Sequence, residues 1–290
     1  MTASKFEKKN HHYVPQFWQR GFRDSNDQLY ARTGGDVSIV SPKTIMQVDW
    51  LYTVFDSQWR PSDALEDLLS AIEGHDAQLL QRLNASGYIP TAHDEAQLCA
   101  LLGLQASRHP DVLKRGHNLS REFGELLASV HDHSLESFQR LTAPQGINPV
   151  DAKNYYFTLK ARTKEQLAEE LADLLQLSPQ SPQLPVQNAI RAAPQIEAAI
   201  SCMQLSLLDA TPPSAFVLGD TPLPQTDLSR GFSVPLSKSL SVIATPAGFT
   251  KLPMTRRVAT QQEVDKINRT QFENAFDTVV GPSAALLKSL

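Results

Sequence analysis

A chain of 290 residues has enough material for one large core or two small ones. Its 31 acidic and 27 basic residues give a net charge of −4, which excludes a global pull toward nucleic acid or an anionic membrane and leaves only a local basic surface. Cys99 and Cys202 are far apart and form no disulfide framework, which suits a reducing cytoplasm, and no apolar run approaches a membrane span.

The stretch Met1 to Asn10 carries positive charge with no apolar run behind it, unlike a secretory signal. His11-His12-Tyr13-Val14-Pro15-Gln16-Phe17-Trp18-Gln19-Arg20-Gly21-Phe22 follows and is the densest stretch of the chain. Pro15 suits a first helical position, so a short helical turn is predicted over 15–20. A left-handed Gly21 is expected to close it, with Phe22 folding back onto Phe17. His11 and His12 then lie at an amide-rich helix end that disfavours an imidazolium. A neutral imidazole serves as a metal ligand or general base, or equally as a partner for a buried carbonyl. Adjacent rings diverge, and His12 is the preferred chemical candidate.

Residues 28–32 and 37–40 are β-prone and flank Gly34-Gly35, which predicts a hairpin; 48–54 suggests a further extended piece. Leu65, Leu68, Leu69, Ile72, Leu79, Leu80 and Leu83 form a helical stripe over 62–84. Thr91 and Asp94 open a second helix, whose Leu98/Leu101/Leu102 stripe ends in Gln105, Arg108 and His109 before Pro110. Helix continues over 111–140 with a break near His131-Asp132-His133. Pro149 after Asn148, and Thr163 with Gln166, open two more helices. Ser178 to Pro185 has the composition of a linker and is the expected first site of proteolysis. A helix over roughly 187–208 precedes short β-prone runs from 214 to 253. A final helix is opened by Thr260 and Glu263 and predicted to run to Gly281-Pro282. These elements predict a mainly helical α+β fold with one mostly antiparallel sheet built from N- and C-terminal strands. The chain reads as a single domain over 1–290, with 141–185 as a peripheral helical insertion and linker.

Several polar residues interrupt this apolar plan. Asp220 follows the apolar run Phe216-Val217-Leu218 and precedes Thr221-Pro222, so it stands just past a strand end. There a carboxylate either caps backbone amides or is presented for a metal or a histidine. Asn268 falls on one helical face with Val264, Phe272 and Phe276, where a buried amide needs matched partners. His131-x-His133 is a weak metal pair, because helical residues two apart point away from each other. The chain has no P-loop, no G-x-G-x-x-G and no G-x-S-x-G.

The opening run His11 to Phe17 with Arg20-Gly21-Phe22 resembles the signature of the family called domain of unknown function 4238, found widely in bacteria. Arg108-His109-Pro110, Phe216 to Pro222, Val234 to Ser237, and Ile267-Asn268 with Phe272 to Ala275 are similar to later family elements. Gly219 and His109 stand where that pattern has Ser and Thr. The resemblance implies a fold and candidate residues, and no established activity.

Together these features point to a polar centre of His12, Asp220, Asn268 and Arg108. One reading is a cytoplasmic phosphodiester hydrolase acting on nucleic acid. His12 acts as base or metal ligand, Asp220 as its orienter or a ligand of Mg²⁺ or Mn²⁺, and Arg108 as the phosphate-neutralising group. The other is a non-catalytic interaction protein, a phage-defence or toxin–antitoxin component, whose polar centre locks the fold and whose partner is a protein. Neither requires a membrane.

Overall fold

The computed structural model describes residues 10–55, 61–62, 64–175, 183–225 and 227–290. Residues 178–182 of the predicted cleavage segment 178–185, and all but the last residue of the basic leader, lie outside them. The chain divides into two compact units. The first holds the described residues up to Leu51 with Ala64–Pro110 and Ile190–Leu290; the second holds those of Tyr52–Asp63 and Asp111–Ala189.

In the first unit the chain runs through β1 (Asn10–His12), α1 (Gln16–Arg20), β2 (Leu29–Thr33), β3 (Asp36–Val40) and β4 (Gln47–Asp49). Gly34 and Gly35 both have positive φ, 57° and 102°, the conformation that a tight two-residue hairpin demands. The predicted hairpin therefore forms as β2 paired with β3. Its other edge pairs with the C-terminal strand β12 (Thr278–Gly281), so the two ends of the chain meet in one sheet.

The second unit contains the β5 (Val54–Phe55) and β6 (Pro61–Ser62) ribbon. Its helices are α4 (Pro110–Ala128, all but its first residue), α5 (Leu135–Thr142), α6 (Pro149–Lys160) and α7 (Lys164–Glu170). Asn148 caps α6, and a Thr163/Gln166 box caps α7. Leu127, Val130, Phe138, Leu159, Leu167 and Leu171 form this unit's own core.

Returning to the first unit, α2 (Ala64–Asn84) and α3 (Ala92–Arg108) precede α4, and α8 (Gln183–Ser201) leads back from the second unit. The remaining elements are β7 (Gln204–Asp209), β8 (Leu218–Gly219), β9 (Phe232–Ser237), β10 (Leu240–Thr245), β11 (Thr255–Val258), α9 (Gln261–Asn274), β12 and α10 (Ala284–Ser289). The mainly helical α+β class holds, but the single sheet does not. Among the described residues there are two four-stranded sheets, β3-β2-β12-β8 and β11-β7-β10-β9, and two two-stranded ribbons. The reason is that β7, β9, β10 and β11 pair with one another and leave only β8 and β12 for the N-terminal hairpin.

Two element boundaries differ from the sequence reading. The helix expected to reach residue 208 stops at Ser201, and Gln204–Asp209 is a strand flanked by β10 and β11. Leu205, Leu207 and Leu208 are fully buried there, so packing between two neighbours overrides leucine's helical preference. The last long helix stops at Asn274, and the β-branched Val279-Val280 enters β12. Phe276, placed by spacing on the buried face, is consequently exposed.

Candidate functional site

The opening motif is pinned from several sides. Trp18, fully buried, donates from Nε1 to the Pro235 carbonyl of β9 at 2.9 Å, and the Lys238 amide donates to Gly21 O at 3.0 Å. Gly21 is not left-handed; its φ is −62° and ψ −13°. It is needed for closeness instead. A Cβ there would lie 3.1 Å from Trp18 O and 3.3 Å from Ser237 Cβ, so any other residue requires α1 and β9 to move apart by a few tenths of an ångström.

This seating places three motif side chains in a row at i, i+4 and i+8. Arg20 donates from Nη2 to Gln16 Oε1 at 2.8 Å, and Gln16 Nε2 faces His12 Nδ1 at 3.5 Å. The bond from Arg20 identifies the oxygen end of the Gln16 amide, so its NH₂ end faces the imidazole. This arrangement suits the tautomer in which Nδ1 of His12 accepts and Nε2 carries the hydrogen. Nε2 is buried, and among the described residues it has no partner within hydrogen-bond geometry. Burial holds the His12 pKa below its ordinary value, and the nearby charges of Arg108 and Arg20 act in the same direction against the Pro42 carbonyl. The ring is thus neutral near neutrality.

Arg108, at the end of α3, reaches the same place. Its Nη2 donates to His12 O at 2.9 Å and pairs with Glu73 Oε1 of α2 at 2.8 Å. One turn along α2, the buried Asp76 carboxyl is pushed up to about 7 by burial and by Glu73, with Arg108 opposing. Sequence reasoning missed both acids. The signal was present, because Leu69, Glu73, Asp76, Leu80 and Leu83 follow the 4-3-4-3 spacing of one helical face, and two acids break its apolar stripe. Next to Arg108, His109 meets Thr221 Oγ1 through Nε2 at 3.1 Å and packs edge-on against Tyr13, with ring centroids 5.3 Å apart.

Asp220 and Asn268, expected in catalytic roles, have their polar atoms committed to main chain. Asp220 is fully buried and accepts from the amides of Phe276 (2.8 Å), Asp277 (2.9 Å) and Thr278 (3.0 Å), and from Thr221 Oγ1 at 3.3 Å. Asn268 accepts from Val217 N at 3.0 Å and donates to Ala215 O at 2.9 Å. Gln271 continues this pattern, accepting from Gly219 N and donating to Pro222 O. Asn268 and Gln271 thereby act as a side-chain ladder along β8. A divalent ion shared by His12 and Asp220 does not fit this donor set, because binding one displaces backbone amides from the carboxylate. Among the described residues no three His, Cys, Asp or Glu side chains converge on one point. In the second unit, His131 Nε2 contacts Arg162 O (2.8 Å), joining two turns 31 residues apart, and His133 Nε2 contacts Ser129 Oγ (3.2 Å) within its own turn.

Among the described residues no helix is long and apolar enough to cross a membrane. A family model described as "Protein of unknown function (DUF4238)" matches residues 10–285. No curated protein and no solved structure matches the chain.

Proposed function

The chain belongs to the DUF4238 family of proteins of unknown function, and we propose from its own side chains that it hydrolyses phosphodiester bonds in nucleic acid. One observation carries this reading: Arg108 ties the backbone carbonyl of His12, whose neutral ring is oriented by the Arg20–Gln16 relay, to the Glu73 carboxylate, one turn along α2 from the proton-holding Asp76. A neutral base and a carboxyl that still holds part of its proton near neutral pH are the two partners general acid–base hydrolysis requires. His12 Nδ1, only loosely held by Gln16, accepts a proton from the attacking water. The new P–O bond forms as the old one breaks, and the Asp76 carboxyl gives its proton to the leaving oxygen. Arg108 holds the Glu73 carboxylate and the His12 backbone in register. Asp220 and Asn268 are scaffold in this reading.

The test is incubation of the purified protein with single- and double-stranded DNA and RNA, at pH 6 to 8, with Mg²⁺, Mn²⁺ or chelator. Cleavage is expected, together with a loss of about 10²- to 10⁴-fold in His12→Gln at unchanged melting temperature. A folded wild-type protein that cleaves nothing under any of these conditions overturns the reading. A lowered melting temperature in His12→Gln with the biological phenotype intact at matched abundance assigns the centre to fold maintenance in a defence or toxin–antitoxin component.

A further inference from the structure

The cleft beside α1 has an exposed cation in its lining. It measures about 260 Å³ and is lined by Phe17, Arg20 and Gly21 of the opening motif, by Ala77, Gln81 and Asn84 of α2, and by Leu236. Arg20 is exposed, and among the described residues the only hydrogen bond of its guanidinium is to Gln16. Among the described residues it pairs with no carboxylate, whereas Arg82, Arg108, Arg256 and Arg257 each do. With one Nη held by Gln16, the rest of its guanidinium fork faces solvent, the arrangement that grips a phosphate by two parallel bonds. One wall connects to the acid–base centre, since Arg20 bonds Gln16 and Gln16 faces His12.

We propose that this cleft is the phosphate-docking subsite, with Arg20 as the anion-binding residue and the exposed Gln81 amide beside it as a second donor. The proposal rests on the hydrolase reading for its substrate class, a nucleic-acid strand, but its test is independent of turnover. Binding of a labelled single-stranded decanucleotide is measured with excess chelator at 50 and 150 mM salt, for wild type, Arg20→Gln, Arg20→Lys and the exposed control Arg230→Gln, all of matched melting temperature. Inorganic phosphate and a mononucleotide serve as competitors, separating a site for free phosphate from one for a strand.

Arg20→Gln is expected to weaken oligonucleotide binding at least tenfold and to flatten the dependence of log affinity on log salt by about one. Arg20→Lys should retain part of the affinity and Arg230→Gln all of it. Unchanged binding in Arg20→Gln, no oligonucleotide binding by wild type, or displacement by phosphate alone at concentrations where the strand does not compete overturns the proposal. Binding that depends on Arg20 without cleavage leaves the docking site standing and removes only the hydrolase.

Discussion

Among the described residues, Asp76 is the carboxyl whose chemistry departs furthest from its exposed behaviour at neutral pH. Its carboxyl is raised from 3.8 to about 7 by burial and by Glu73, so the folded protein binds a proton there that the unfolded chain has released. The linkage has one sign. This group's stabilising contribution is complete below pH 3.8, declines as pH rises, and is gone above about 7. Melting temperature should therefore fall between pH 5 and 7.5 in the wild type more steeply than in Asp76→Asn, which cannot ionise. Thermal scans across that range check it, and equal slopes in both proteins refute the raised pKa. Glu263, held down to about 2 first by Arg257, behaves oppositely and loses its contribution only as pH falls from 4.5 toward 2, well outside that window. Residue types and stripes in the sequence pointed to His12 and Arg108. The acids on α2 passed unnoticed because an amphipathic helix ordinarily carries acids on its solvated face, although their spacing sets them within the leucine stripe.

At the scale of elements, Asp220 sets where α9 ends. Its carboxylate captures the amides of residues 276 to 278, which a continuing helix would donate to carbonyls four residues back. The segment is released into β12, which pairs with β8 immediately before Asp220. Gly219 makes this junction possible, since a Cβ there would come within 2.7 Å of Gln271 O. Removing the carboxylate strands three main-chain donors, each costing about 1–3 kcal/mol when buried and unpaired. Asp220→Ala is accordingly expected to destabilise the protein by about 3 kcal/mol or more in urea unfolding, and Asp220→Asn by less because one acceptor oxygen survives. A change below about 1 kcal/mol in Asp220→Ala would remove the terminator role. The boundary was not legible beforehand, because the donors lie 56 to 58 residues from the acceptor. Capping boxes at Thr91, Thr163 and Thr260 were legible, since donor and acceptor sit three residues apart.

At the scale of the whole chain, the sheet β3-β2-β12-β8 joins residues 29–40 to residues 218–281. Strand β12 is fully flanked, whereas β3 is an edge with Ile39 exposed. Hydrogen exchange should therefore find the amides of Val279 and Val280 opening only with global unfolding, and those of the β3 edge opening earlier. Equal protection in β3 and β12 would contradict this hierarchy. The sequence by itself determined the elements whose signals are local: the Gly-Gly hairpin, the capped helices, the α1 motif, the mainly helical α+β class and the family. Propensity, capping and periodicity act within a few residues and can be read without the fold. Tertiary structure alone decided that β7 is a strand, that there are two larger sheets rather than one, that Asp220 and Asn268 serve main-chain groups, and that Glu73 and Asp76 stand with Arg108 and His12. Each of these depends on which distant group removes water from a side chain and satisfies its polar atoms, and that partner is chosen only when the chain packs.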